Sequence, residues 1–166
     1  VHYHVQNDGF DFNWTNNRIN WYRNEGIPMF ILDGVERKVG GSAAFYMQFQ
    51  KLVTDRKAAS VSNPVDISLT YKDGLVEYTL SPETPLENAQ IVVLLIEDQV
   101  SDGRSLLRNV VRVAQTTTVK LLENAKKEHV QIPLKPSWRK DKLFSVVFVQ
   151  KIADREVVGV AQSHRP

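Results

Sequence analysis

Chemistry in this chain of 166 residues has to start from side chains that ionise, ligate or attack, and the sequence contains no cysteine. Thiolate nucleophiles, disulfides and thiolate-bound zinc are therefore excluded for the chain itself. His2 and His4 stand at i, i+2 in VHYHV, which turns both rings to one face of a strand, where they would share a metal. No third ligand is near them, and His129 and His164 fall far along the chain, so the pair reads as two histidines on a half-exposed strand face. Glu97, Asp98 and Asp102 cluster carboxylates without the spacing of an EF-hand loop or a glycosidase pair. There is no Gly-x-Ser-x-Gly elbow and no phosphate-cradling loop. No metal and no cofactor are expected.

Binding chemistry has more candidates. Phe12, Trp14, Trp21 and Tyr22 surround Arg18 and Arg23, a composition suited to a peptide or carbohydrate platform, or to a helix laying its aromatic side on a sheet. Asn13-Trp14-Thr15 is a glycosylation sequon, without consequence in a bacterial setting. Arg104, Arg108, Arg112, Lys126, Lys127, Lys135, Arg139, Lys140 and Lys142 make the later loops basic and would suit an anionic polymer. Interspersed Asp and Glu favour a solvated surface instead. Ile27-Pro28 opens an apolar run, Met29 to Leu32, and proline belongs at the first residue of a strand because it donates no ladder hydrogen bond.

These residues need elements to position them. NWTNNRINWYRNEG reads as a helix closed by Gly26, and MFIL, Asp33-Gly34 and VERKV as an antiparallel hairpin. SAAFYMQFQKLVTDRKA spaces its apolar residues by three and four behind Ser42 as N-cap and is the strongest helical segment. AASVSNP turns small and polar, as a linker does. From residue 65 the pattern is β: VDISLTY and LVEYTLS alternate about Lys72-Asp73-Gly74, and AQIVVLLIED is a continuous apolar run suited to a strand buried on both faces. VVRVAQTTTVKL, HVQIPL, LFSVVFVQKI and EVVGVAQ complete about seven strands. No helix of useful length separates them, which disfavours a parallel βαβ sheet and favours an immunoglobulin-like β-sandwich. The expected fold is α+β, with residues 1–58, a linker at 59–64 and a sandwich over 65–166.

Composition sets the bounds. With 42% apolar and 24% charged residues the chain should fold around a core, and 21 basic against 19 acidic side chains leave a net charge of +2. That balance argues against nucleic acid as partner. No apolar run approaches the roughly 18 residues of a membrane-spanning helix. The chain begins directly in VHYHV without an initiator Met, as an excised or mature fragment would.

The order strand, helix, Ile27-Pro28-Met29, strand, Asp33-Gly34, strand, Val39-Gly40-Gly41, helix resembles the second half of a thioredoxin fold, covering about the first 57 residues. The resemblance implies a cis bond before Pro28, with the Ile27 backbone at a sheet edge where such proteins meet substrate peptide or face a redox dithiol. Ile27, Pro28, Trp14 and Trp21 are the substrate-binding residues on this reading. The family's dithiol lies in a first half that has no counterpart here. The chain by itself is thus expected to be redox-inert, and its half-sheet to be completed by a longer N-terminus, by a second copy, or by the sandwich. Glu97-Asp98, a loop, and then Val110-Val111-Arg112 also resemble exported Omp28-like proteins, in which a thioredoxin-like domain precedes a β-sandwich. That likeness implies an extracytoplasmic setting, with a protein or peptide as partner. The alternative is a non-enzymatic binding or scaffold module of the cell envelope.

Overall fold

The apolar run Leu86–Glu97 organises the fold: its last seven residues, Ile91–Glu97, are all buried. A strand can be apolar without alternation only if both faces of its sheet are covered, and both are. The computed structural model describes residues 12–23, 25–58 and 64–164. His2, His4 and VHYHV, and all of the 59–64 linker but Pro64, lie outside the described residues.

Helix α1 (Asn13–Trp21) leads to the hairpin β1 (Met29–Leu32) and β2 (Glu36–Val39), then to α2 (Ala43–Ala58). The strands that follow are β3 (Val65–Lys72), β4 (Leu75–Pro82), β5 (Leu86–Glu97), β6 (Val100–Ser101), β7 (Leu106–Leu107), β8 (Val110–Leu122), β9 (Lys126–Gln131), β10 (Leu143–Lys151) and β11 (Val157–Gln162). The molecule is strand-rich α+β. Among the described residues all strand pairs are antiparallel. A four-stranded sheet ordered β11-β10-β5-β8 packs on a three-stranded sheet ordered β3-β4-β9. Val76, Tyr78 and Leu80 from the smaller sheet meet Ile91, Val93, Leu95, Val147 and Val149 from the larger, which makes the inter-sheet core. Short β6-β7, which the alternation pattern does not anticipate, forms its own two-residue hairpin.

The opposite face of the four-stranded sheet is also apolar. Val92, Leu94, Ile96, Val111, Phe144, Val146 and Phe148 form a second buried cluster against which Phe12 and Trp14 pack. Helix α1 therefore serves as part of a cover for that outer face. It ends at Trp21 with Tyr22 as C-cap, and Arg23 takes the left-handed conformation at φ +53°. The expected stop at Gly26 falls later than the observed one because Tyr22 turns inward to the sheet and is 4% exposed. Gly26 serves a different need: a methyl there would come within 2.9 Å of Val39 Cγ1.

Ser42 caps α2 as its residue type suggests, accepting a hydrogen bond from the Phe45 N–H at 3.2 Å. Phe45 and Phe49, one turn apart, lie 5.2 Å and 4.9 Å from Phe30 of β1. No residue of α2 is buried and all of β2 is exposed. The hairpin reaches the larger sheet through its turn, where the Val157 N–H donates to the Asp33 carbonyl at 2.8 Å.

Candidate functional site

Pro28 begins β1, and its carbonyl accepts from the Gly40 N–H at 3.0 Å, which ties the strand entry to the Gly40-Gly41 step before α2. The pyrrolidine ring lies against Gly41, so close that an added methyl there would touch Cγ at 3.4 Å. The Ile27–Pro28 peptide bond is cis. Ile27 projects outward at 65% exposure, and the Tyr46 ring, half exposed, meets Phe30 edge-on. Met47 and Val39 are exposed on the same small unit. Glu36, Arg37 and Lys38 of β2 are exposed beside these apolar side chains, and among the described residues β1 pairs with β2 alone.

The two tryptophans are engaged at the sandwich. The Trp14 indole N–H donates to Thr116 Oγ1 on β8 at 2.9 Å, and its ring stacks with Phe12. Trp21 lies 4.1 Å from the Arg18 guanidinium, with Trp14, Tyr22 and Phe148 around the same cation at 5.1 to 5.7 Å. Sequence spacing thus groups these aromatic residues with Arg18 correctly, and the fold makes the group a fastener between α1 and the sheet.

That fastener is polar at its centre. Arg18 is 5% exposed, and it donates to Gln90 Oε1 at 3.0 Å and to Gln150 Oε1. Gln90 and Gln150 sit opposite each other on β5 and β10. Gln150 is fully buried, and its Nε2 donates to the Tyr22 hydroxyl at 2.8 Å and to the Arg155 carbonyl. Gly34, at φ +80°, packs on the same carbonyl, and a methyl there would overlap it. Among the described residues no carboxylate forms an ion pair with Arg18, and its Nε has no hydrogen-bond partner. A buried polar residue inside the run LFSVVFVQK is the one sequence signal that points to this network.

The second polar centre is Glu97, whose side chain is 3% exposed at the end of β5. Its Oε2 accepts from Arg112 Nε at 2.7 Å and its Oε1 from the Arg139 N–H at 3.0 Å. Arg139 also donates to the Asp98 and Gln99 carbonyls, at 3.2 Å and 2.7 Å. Beside it lies a shallow cleft of about 220 Å³ bordered by Val100, Ser101, Leu106 and Ser137. Arg108 pairs with Asp98, Lys126 with Glu128, and Lys142 with Asp141, so much of the basic surface is locally neutralised. Asp102 accepts from the Ser105 and Arg104 backbone N–H groups, which hold its carboxyl below the ordinary carboxylate pKa. Those bonds close a turn. His129 follows Glu128 and lies opposite Glu77, His164 is exposed like it, and among the described residues no three His, Asp or Glu side chains gather as a metal site. No helix among the described residues is long and apolar enough to cross a membrane.

No protein-family model matches the chain, and no curated protein matches it significantly. Solved structures do. Protein AGR_C_4864 from Agrobacterium tumefaciens shares 19% identity at a TM-score of 0.60, covering 92% of this chain and 71% of that one. HBP35 of Porphyromonas gingivalis shares 10% identity at a TM-score of 0.64, again over 92% of this chain. This chain spans 61% of the HBP35 structure. A domain of the outer membrane lipoprotein Omp28 from the same organism shares 21% identity over 60% of this chain and 85% of its own, at a TM-score of 0.42. At these identities the first two show one thing about this chain, which is its fold.

Proposed function

We propose that this chain is the substrate-facing and carrier portion of an exported thioredoxin-like protein of the Omp28-like kind, with an immunoglobulin-like sandwich as its second part. The observation that carries the reading is the order of elements about Pro28: α1, Ile27-Pro28, hairpin, Gly40-Gly41 and α2, with Ile27 presented to solvent at 65% exposure. Glu97-Asp98 and Val110-Val111-Arg112 support the Omp28-like relation and, through it, an extracytoplasmic location. In thiol–disulfide exchange a thiolate attacks a substrate disulfide, and a second thiol then resolves the mixed disulfide, so the dithiol is oxidised as the substrate is reduced. With no cysteine in these 166 residues, both sulfurs belong to sequence beyond them, and this chain's part is to hold the substrate backbone beside Ile27.

Insulin reduction tests the proposal. The full-length protein should turn over, its cysteine-to-serine variants should not, and the 166-residue chain should be inert. Equal rates for full-length protein and cysteine-free variant would remove the redox reading. A second reading, a non-enzymatic protein-binding module of the envelope, is favoured by the exposed Ile27, Val39, Tyr46 and Met47. It predicts peptide binding that is unchanged in the cysteine-free variant and is lost in Ile27→Asp.

A further inference from the structure

We propose that the cleft beside Glu97 binds a small aliphatic carboxylate, gripped by Arg139 and seated on Val100 and Leu106. The site belongs to the sandwich and does not depend on the Ile27 surface. Its volume of about 220 Å³ lies below the roughly 300–1,000 Å³ of pockets that hold drug-sized ligands. An acid of a few carbons, or the last residue of a polypeptide, is of the right size.

Charge selects the class of ligand. Two guanidiniums and one carboxylate border the cleft, those of Arg112, Arg139 and Glu97, which leaves one positive charge in surplus. Glu97 already faces Arg112 at 2.7 Å, and nearby Asp98 faces Arg108 at 3.5 Å. Arg139 is 47% exposed, and its Nε stands 3.9 Å from Glu97 Oε1, too far for a hydrogen bond. Its Nη2 is held by two neutral acceptors, the Asp98 and Gln99 carbonyls, and Nη1 has no hydrogen-bond partner among the described residues. The guanidinium is thus fixed before any ligand arrives, so little freedom is lost on binding. Arginine donors match carboxylate oxygens, and a single surplus charge suits a monoanion better than a phosphate dianion. Ser101 and Ser137 add hydroxyl donors at the same cleft. The wall is apolar at Val100, 6% exposed, and at Leu106, which is 63% exposed and gains by being covered with a hydrocarbon tail.

Sodium isovalerate, a branched monocarboxylate, is the probe, titrated into the isotope-labelled chain. The amide resonances of Val100, Ser101, Leu106 and Arg139 should shift together and saturate, with a Kd of about 1 mM for so small a ligand. Isoamyl alcohol, which lacks the charge, acetate, which lacks the tail, and inorganic phosphate should each bind about tenfold more weakly or worse. Arg139→Met should weaken isovalerate about tenfold or more, whereas Arg104→Met, a cation of the same loop outside the cleft, should leave it unchanged. Arg139→Met also gives up the two carbonyl bonds, so Leu106→Ser supplies an arm that spares them and should weaken binding several-fold. N-acetylleucine, standing for the end of a polypeptide, identifies the source. Binding as tight as that of isovalerate assigns the cleft to chain termini, binding of isovalerate alone assigns it to free acids, and either supports the inference. It is overturned if neither acid gives a saturable shift, if the alcohol or phosphate binds as well as isovalerate, if Arg104→Met matches Arg139→Met, or if both cleft variants keep full affinity.

Discussion

Gln150→Leu keeps nearly the volume of the side chain and removes only its polar atoms. In the folded protein that amide is fully buried, takes a hydrogen bond from the Arg18 guanidinium, and donates to the Tyr22 hydroxyl and the Arg155 carbonyl. Leucine leaves a 95%-buried cation whose remaining side-chain acceptors are Gln90 Oε1 at 3.0 Å and, at 3.4 Å, the Tyr22 hydroxyl. A hydrogen bond to a charged group contributes about 1.5–3 kcal/mol, and each orphaned buried partner costs about 1–3 kcal/mol. One charged hydrogen bond lost and one group left unpaired together give an expected loss of about 2.5–6 kcal/mol. Urea unfolding reads it directly, with tryptophan fluorescence weighted to Trp14 and Trp21 on α1 and circular dichroism weighted to the sheets. Arg18→Met supplies the second arm. Once the cation is gone, Gln150→Leu should cost less, so the double variant should fall short of the two single losses by about 1 kcal/mol or more. A Gln150→Leu loss below about 1 kcal/mol, or strict additivity with Arg18→Met, would refute the idea that a buried arginine fastens α1 to the sandwich.

Gly34→Ala should be costlier than a surface substitution. It forces a side chain into the left-handed region, at about 1–2 kcal/mol, and drives a methyl into the Arg155 carbonyl, so the fluorescence transition should move to lower urea. Glu97→Leu breaks the 2.7 Å ion pair with Arg112 and removes the acceptor of the Arg139 N–H, both at a side chain only 3% exposed, at an expected cost of about 3–5 kcal/mol. Amide exchange should then quicken over residues 98–109, whereas Asp141→Ala on the neighbouring surface should leave it unchanged. Burial pushes the Tyr78 hydroxyl above its ordinary pKa of 10.0, and the Tyr71 hydroxyl likewise. The protonated form is favoured in the fold, so this stability is intact below about pH 10 and is lost as pH rises through the raised values. Urea midpoints should fall above pH 10, less steeply in Tyr78→Phe, and identical alkaline slopes would count against the assignment.

The elements that sequence reveals best are those whose pattern is local. Alternation in VDISLTY and LVEYTLS about Asp73-Gly74 yields β3 and β4, and Ser42 with Phe45 and Phe49 yields α2, because side-chain period and cap chemistry act within a few residues. The unbroken apolar run of β5 even announces a sheet covered on both sides. Gly26 misleads as a helix stop, since a glycine required by contact with Val39 looks the same in sequence as one required by φ.

The site was legible only in its pieces. The sequence groups Trp14, Trp21 and Arg18, and it marks Ile27-Pro28 as the start of an apolar strand. The pairings that give those residues their roles span 132 positions for Arg18 and Gln150, and 15 for Glu97 and Arg112. Composition by itself determined that no thiol chemistry resides in these residues and that a β-rich core would form. Only the tertiary structure decided that the aromatic cluster around Arg18 closes onto the sandwich, that Gln90 and Gln150 meet across β5 and β10, and that Ile27 is left exposed among the described residues. The physical reason is common to all three: burial and strand pairing are set by which distant segments meet, and a local pattern states only what each segment has to offer.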